Sequence, residues 1–389
     1  MLGGSMGWVT TWTAAPQLTE PGNMPPPPYA GQGRVLAGAT LRQTLRITAG
    51  GPRIRLRLSN AFGGAPLPVT RAAVALPRGG AAGVSGILPE TSRPVTFSGR
   101  GSAVVPKGAH VVCDPLDFEV APGSVLTVSV HLAEGTASCD LTSHPGSRTT
   151  SYLAAGDLVE AAGLPGATAV DHWYLLSGVE VAAGPGTAAI AVLGDSLTDG
   201  RGSTTNGNDR WPDQLFDRLP PGVAVANQGI GGNRVLADGL GPSALARLDR
   251  DVLAQSGVRR LVVFEGVNDL GTAEPDARSR VAADLVAAYE QIVVRAQARD
   301  LLVYGATLTP FGGHDYDDPE GCREAARQQV NDWIRTAGRF DAVIDFDRAV
   351  RDPADPRRLL PAYDEGDHLH LSPAGYRALA EAVPLELFR

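Results

Sequence analysis

The 389-residue chain has no run approaching the roughly 18 uninterrupted apolar residues of a membrane-spanning helix, so no such span is expected. It has no basic excess either. A formal net charge of −8 argues against nucleic acid as a partner, because phosphate binding needs a positive surface. Cysteine is scarce: Cys113, Cys139 and Cys322 are widely separated and form no C-x-x-C, which disfavours a zinc site or a redox pair. A Cys113–Cys139 disulfide fits the count, and free, buried thiols are the simpler expectation. Aromatic residues make up 6%, which leaves few platforms for stacking on a sugar. Trp8, Trp12, Trp173 and Tyr174 are the candidates for a glycan contact, and packing in a core is the preferred alternative. The start, "MLGGSMGWVTTW", lacks a basic stretch followed by an apolar core, so no signal peptide is read there. The compartment stays open: cytoplasmic, or secreted with the signal removed. The stretch "MLGGS" ahead of Met6 reads as an appended leader or as upstream of an alternative start.

What is present divides into two halves. Hydrophobic content of 43% and charged content of 20% suit a globular chain, and the length suits two domains. Up to about residue 185 the pattern alternates. "RIRLRLSN" sets Ile54, Leu56 and Leu58 against Arg53, Arg55 and Arg57, a half-buried strand. "SVLTVSVHL" sets Leu126, Val128 and Val130 against Thr127, Ser129 and His131. Similar runs at 38–48, 67–77 and 107–113 are broken by glycine and proline turns. Many short strands predict an all-β sandwich, jelly-roll-like, over 1–184. The "PPPP" tract at 25–28 predicts a stiff, extended surface segment.

"AAGPG" at 182–186 marks the boundary, and 185–389 reads differently. Continuous apolar runs at 188–193, 223–226, 260–264, 301–308 and 342–346 suit strands covered on both faces. Helical patterns at 211–219, 243–254, 278–299 and 321–337 lie between them. The alternation predicts an α/β domain with a parallel sheet between helix layers.

In such a sheet, ligands bind in the loops leaving the carboxyl ends of the strands. Those loops carry the unusual residues of this chain: Gly194-Asp195-Ser196, then "NQGIGGNRV" at 227–235, then "EGVNDLG" at 265–271, and near the end "DEGDHLHLSPAGY" at 364–376. A serine hydroxyl needs a base to attack at neutral pH. His370 is the candidate base for Ser196, and Asp367, three residues earlier, can fold back to hold its Nδ1–H. The backbone N–H groups of Ser196 and Gly232 and the side-chain amide of Asn268 are candidate donors to a developing oxyanion. Losing one such donor costs on the order of 10²–10³ in kcat. Glycine at 232 suits a donor N–H pressed against substrate, where a Cβ finds little room. Ser372-Pro373 reads as the cap and first residue of a last helix.

Gly194-Asp195-Ser196-Leu197 resembles the first block of the GDSL lipases and esterases of the SGNH hydrolase superfamily. Asn227 with Gly232 resembles the second block, Gly266-x-Asn268-Asp269 the third, and Asp367-x-x-His370 the last. The four occur in order across 186–389. The resemblance implies a flavodoxin-like α/β/α fold with Ser196 as nucleophile, Asp367 and His370 completing a triad, and Gly232 and Asn268 as oxyanion donors. It implies a serine esterase acting on carboxylic esters, without metal or organic cofactor, or an acyltransferase using the same groups; the lack of a long apolar lid helix favours short acyl chains. "WTAAPQ" and "SHPGSRTTSY" resemble the β-sandwich that precedes this catalytic domain in some actinobacterial members.

Other readings carry less. His368 and His370 with Asp364 or Asp367 could ligate a metal, but no second cluster at ligand spacing accompanies them. "GIGGNR" lacks the spacing of a dinucleotide loop, and Thr198 breaks the G-x-S-x-G pattern. Asp195 and Asp269 are expected to hold loops. "DYDDPEG" at 315–321 is expected to be a solvated lip of the cleft. His144 and Arg148 are candidates for reaching the acyl or leaving group, against a role in local hydrogen bonding.

Overall fold

In the computed structural model, residues 6–388 are described, apart from 32, 275, 276 and 279; the "MLGGS" stretch lies outside the described residues. Chain contacts separate two compact units, Met1–Thr187 with Thr205–Gly207, and Ala188–Thr204 with Asn208–Arg389.

The first unit is strand-rich, and its sheets are antiparallel. One sheet joins Gly7–Thr13, Leu176–Ala183 and Gly51–Ser59. On the last of these, Ile54, Leu56 and Leu58 are buried as the alternation predicts, and Arg55 and Arg57 pair with the buried Glu180. A six-stranded sheet runs through Ala39–Arg46 and Val125–Leu132. Here the half-exposed expectation fails, because Thr127, Ser129 and His131 are buried too. They pair with Thr44, Arg42 and Thr40, and backbone groups of residues 83–85 and 156–161 bond to that polar face. Arg42 is fully buried and donates to Ser129 Oγ and to the carbonyls of Ser85, Leu158, Val159 and Ala161. Burial pulls its guanidinium down to about 10, which leaves it charged at neutral pH.

Two further expectations are corrected in this unit and beyond, and the preferred packing of the aromatics is found for three of the four. The proline tract turns instead of extending: Tyr29 N–H donates to Pro26 O at 2.9 Å, the Pro27–Pro28 bond is cis, and Pro25 and Tyr29 are buried. All three cysteines are free, but only Cys113 is buried; Cys139 and Cys322 are exposed. Trp12, Trp173 and Tyr174 are buried, and the guanidinium of Arg55 lies 4.4 Å over the half-buried ring of Trp8.

Among the described residues the second unit holds five parallel strands, β1 (Ala188–Gly194), β2 (Val223–Gly229), β3 (Val258–Phe264), β4 (Leu302–Ala306) and β5 (Ala342–Ile344), in the order β2-β1-β3-β4-β5. This is the strand order of flavodoxin-like sheets, whose switch point lies beside the first strand. The register fixes where the strands stop: Gly194 pairs with Gly229 of β2 and with Phe264 of β3. Three neighbouring strands thus end level, and their loops leave from one edge. Helices α1 (Ser196–Asp199), α2 (Trp211–Phe216), α3 (Ala244–Leu248), α4 (Val267–Gly271), α5 (Val281–Gln297), α6 (Cys322–Thr336), α7 (Phe346–Val350) and α8 (Pro373–Ala382) connect or follow the strands. The clearest, α5, buries Leu285, Ala288 and Ile292 and exposes Val294. No helix among the described residues is long and apolar enough to cross a membrane.

Replacing Arg42 by Met should leave buried carbonyls without donors, lowering stability by about 3 kcal/mol in chemical denaturation. Replacing the exposed Arg53 by Met should change it by under about 0.5 kcal/mol. Equal effects would mean that the Arg42 network is not what covers the polar face.

Candidate active site

β1 is buried from Ala189 onward because it is apolar on both faces. It stops at Gly194, where a Cβ would lie 2.2 Å from Thr198 Oγ1 and 2.7 Å from Phe264 O. Asp195 then caps α1, its carboxylate accepting the Leu197 N–H at 2.9 Å. Ser196 becomes the first helical residue, 6% exposed. Its Oγ lies 2.8 Å from His370 Nε2. His370 Nδ1 lies 2.6 Å from Asp367 Oδ2, while Asp367 Oδ1 accepts the N–H groups of Leu369 and His370 at 3.0 and 2.8 Å. The loop therefore folds back on its own carboxylate. Behind it, Ser372 caps α8 through the Gly375 N–H, with Pro373 at the first helical position.

The electrostatics suit a neutral imidazole beside an ionised acid. Burial alone would raise Asp367, but hydrogen bonds from the His370 ring and backbone hold it at about 2. Burial lowers His370, outweighing the attraction of Asp367. With the Nδ1 proton held by the carboxylate, Nε2 faces Ser196 as an acceptor.

The second and third loops are tied to the first. Asn227 Nδ2 donates to Thr198 O at 2.9 Å, and Asn227 Oδ1 accepts the Gly229 N–H at 2.9 Å. Asp199 accepts the Gly231 N–H at 3.0 Å. Gly232 follows with φ +71°, and a Cβ there would meet Leu240 Cδ1 at 2.4 Å. The positive φ of this turn by itself favours glycine, while the exposed Leu240 side chain is free to give way. Asn233 Nδ2 bonds the carbonyls of Leu240 and Pro242, closing the loop. Asn268 Nδ2 donates to Asn233 O at 2.8 Å, joining the third loop to the second. Asp269 accepts the N–H groups of Val235 and Leu236, so it holds a loop. Among the described residues, the backbone N–H groups of Ser196 and Gly232 have no acceptor.

Behind these loops is a buried charge cluster that the sequence reading missed. Arg247, on α3, donates to Gly194 O at 3.0 Å, Gln228 O at 2.6 Å and Asn233 Oδ1 at 2.9 Å. It also meets Asp251 at 3.3 Å and Glu265 at 3.4 Å. One guanidinium thus pins the ends of β1 and β2 and the loop carrying Gly232. Burial, reinforced by neighbouring carboxylates and opposed by Arg247, raises Glu265; burial raises Asp195 to about 7, and burial raises Asp269 to about 6.

The remaining candidates separate. His368 is exposed and bonds Asp364 at 2.6 Å. Ligand atoms of Glu365, Asp367 and His370 lie within 4.8 Å of one another, with two of these residues already engaged in the row leading to Ser196. His144, in the first unit, is buried with Nδ1 3.0 Å from Ala15 O. The 315–321 run is not simply a solvated lip. Asp318 is buried and accepts the Cys322 and Arg323 N–H groups at the start of α6, while Tyr316 donates to Asn268 Oδ1 at 2.8 Å. An aromatic among acids offered no periodic signal for that contact.

Residues 192–378 match the sequence model of the GDSL-like Lipase/Acylhydrolase family. Solved structures resemble part of the chain. A carbohydrate acetylesterase from Sinorhizobium meliloti is 15% identical over 50% of this chain and 96% of its own, with a TM-score of 0.41. A GDSL-like lipase from Bacteroides thetaiotaomicron is 17% identical over 50% and 84%, at 0.37. An acetyl xylan esterase is 19% identical over 50% and 96%, also at 0.37. No curated protein matches the chain.

An NMR titration of His370 should give a value below the ordinary 6.5 of a free imidazole. The unfolded state then binds more protons as pH falls through about 6.5, so this group's contribution to stability shrinks on acidification. Asp367 acts in the same direction at lower pH, its contribution being lost between roughly 4 and its folded value of about 2. A His370 value above 6.5 would contradict the burial argument.

Proposed function

Taking residues 192–378 as a GDSL-like lipase/acylhydrolase domain, we propose that the protein is a serine esterase hydrolysing carboxylic esters of short acyl chains. The observation that carries this reading is the row Ser196 Oγ–His370 Nε2 at 2.8 Å and His370 Nδ1–Asp367 Oδ2 at 2.6 Å. Ser196 Oγ attacks the ester carbonyl as its proton passes to Nε2. Asp367, held ionised, stabilises the imidazolium that forms. The carbonyl oxygen takes up charge facing the N–H groups of Ser196 and Gly232 and the Asn268 amide. Collapse of the tetrahedral intermediate expels the alcohol, which takes its proton from His370. Water then repeats the sequence on the acyl-enzyme, releasing the acid and restoring Ser196.

The near burial of Ser196 supports small acyl groups. On this reading 185–389 is the catalytic domain with helices layered on both faces of its sheet, and 1–184 is an accessory sandwich of jelly-roll type. The substrate partner is a small ester.

Hydrolysis of p-nitrophenyl esters from acetyl to palmitoyl should peak at short chains and fall by about 10⁴-fold or more in Ser196→Ala. Wild-type rates in that variant would refute the reading. With an alcohol acceptor present, free acid should remain the product; accumulation of a new ester would reassign the same groups to acyl transfer.

A further inference from the structure

Asn268 is 3% exposed, and two of its amide's hydrogen-bonding positions are already committed. Oδ1 accepts the Tyr316 hydroxyl at 2.8 Å, and one Nδ2 proton goes to Asn233 O at 2.8 Å. A flipped amide would set Oδ1 against the Asn233 carbonyl, two acceptors with no proton between them. The amide is therefore locked, with its second Nδ2 proton as the position left to donate.

Tyr316 is itself built into place. Its ring lies over Gly271, where a Cβ would come within 2.1 Å of ring atoms. The His314 ring packs edge-on at 4.6 Å, and His314 Nδ1 accepts the Tyr316 N–H at 3.0 Å. Arg323 donates to Tyr316 O at 3.3 Å, fixing the loop to α6. Burial raises the phenol above its ordinary value, so the hydroxyl stays protonated and donates throughout the neutral range.

We propose that Tyr316 is a positioning residue of the oxyanion site: its hydroxyl holds and polarises the Asn268 amide so that the free Nδ2 proton meets the developing negative charge. This rests on the role given to Asn268 under Proposed function. Donation into Oδ1 draws electron density through the amide, making Nδ2–H a stronger donor, as hydrogen bonds in series reinforce one another. The effect grows with the charge on the acceptor, so it favours the transition state over the ground-state carbonyl.

The test is a double-mutant cycle on p-nitrophenyl acetate with Tyr316→Phe and Asn268→Ala, because Phe keeps the ring over Gly271 and removes only the hydroxyl. Tyr316→Phe should lower kcat by about tenfold with KM within about twofold, and the protein should stay folded with a melting temperature lowered by a few degrees, because Oδ1 loses its donor. In the Asn268→Ala background the same change should cost less than about twofold, because its target is gone. Gly271→Ala supplies an independent variant: by pushing the ring it should lower kcat in the wild-type background and not in Asn268→Ala. Wild-type kcat in Tyr316→Phe overturns the proposal, as does an equal loss in both backgrounds, which would place the hydroxyl on the substrate. Unimpaired turnover in Asn268→Ala or Ser196→Ala would instead remove the esterase reading beneath it.

Discussion

The hydrogen bond between Ser196 Oγ and His370 Nε2 joins positions 174 apart, the first loop of the parallel sheet and the last loop before α8. It exists only if the whole second unit closes correctly, so the proposed chemistry depends on the architecture at its full length. Two local devices aim the partners. Asp195 caps α1 and sets Ser196 at its first position. Asp367 folds the final loop around its carboxylate and sets the ring of His370. Neither acid needs to exchange a proton for this to work.

Between those ends, the level carboxyl termini of β1, β2 and β3 bring the glycine- and asparagine-bearing loops to one edge. Arg247 bonds the carbonyls that terminate β1 and β2 and the side chain of Asn233, whose own carbonyl receives the Asn268 amide. A buried cation is expensive unless well paired, and here it meets two acidic side chains, Asp251 and Glu265, and three other acceptors. The rigidity this gives matters for electrostatic stabilisation, which relies on donors that do not reorganise during reaction. Tyr316 extends the same logic by one bond.

Much of this was legible in the sequence, for physical reasons. Apolar runs such as 188–193 and 260–264 mark strands covered on both faces, and polar loops at their ends mark the site's edge. The alternation at 53–58 reported one buried face correctly, since its arginines meet Glu180 or solvent. The identical pattern at 125–132 misled, because Arg42 and the backbone of residues 83–85 and 156–161 satisfy its polar face inside the unit. Contacts made by single side chains across loops left no periodic trace. Arg247 looked like any helical arginine, and Tyr316 and Asp318 were hidden within a run of acids. The turn at 25–28 depends on where Pro25 and Tyr29 find cover, which composition does not encode.

The most direct measurement is intact-mass and peptide mapping after reaction with a dialkyl phosphate ester such as paraoxon, which phosphorylates an activated serine. The account expects one diethylphosphoryl group, carried by Ser196, with labelling lost in His370→Ala. An adduct on another residue, or labelling of Ser196 at the same rate without His370, would contradict it.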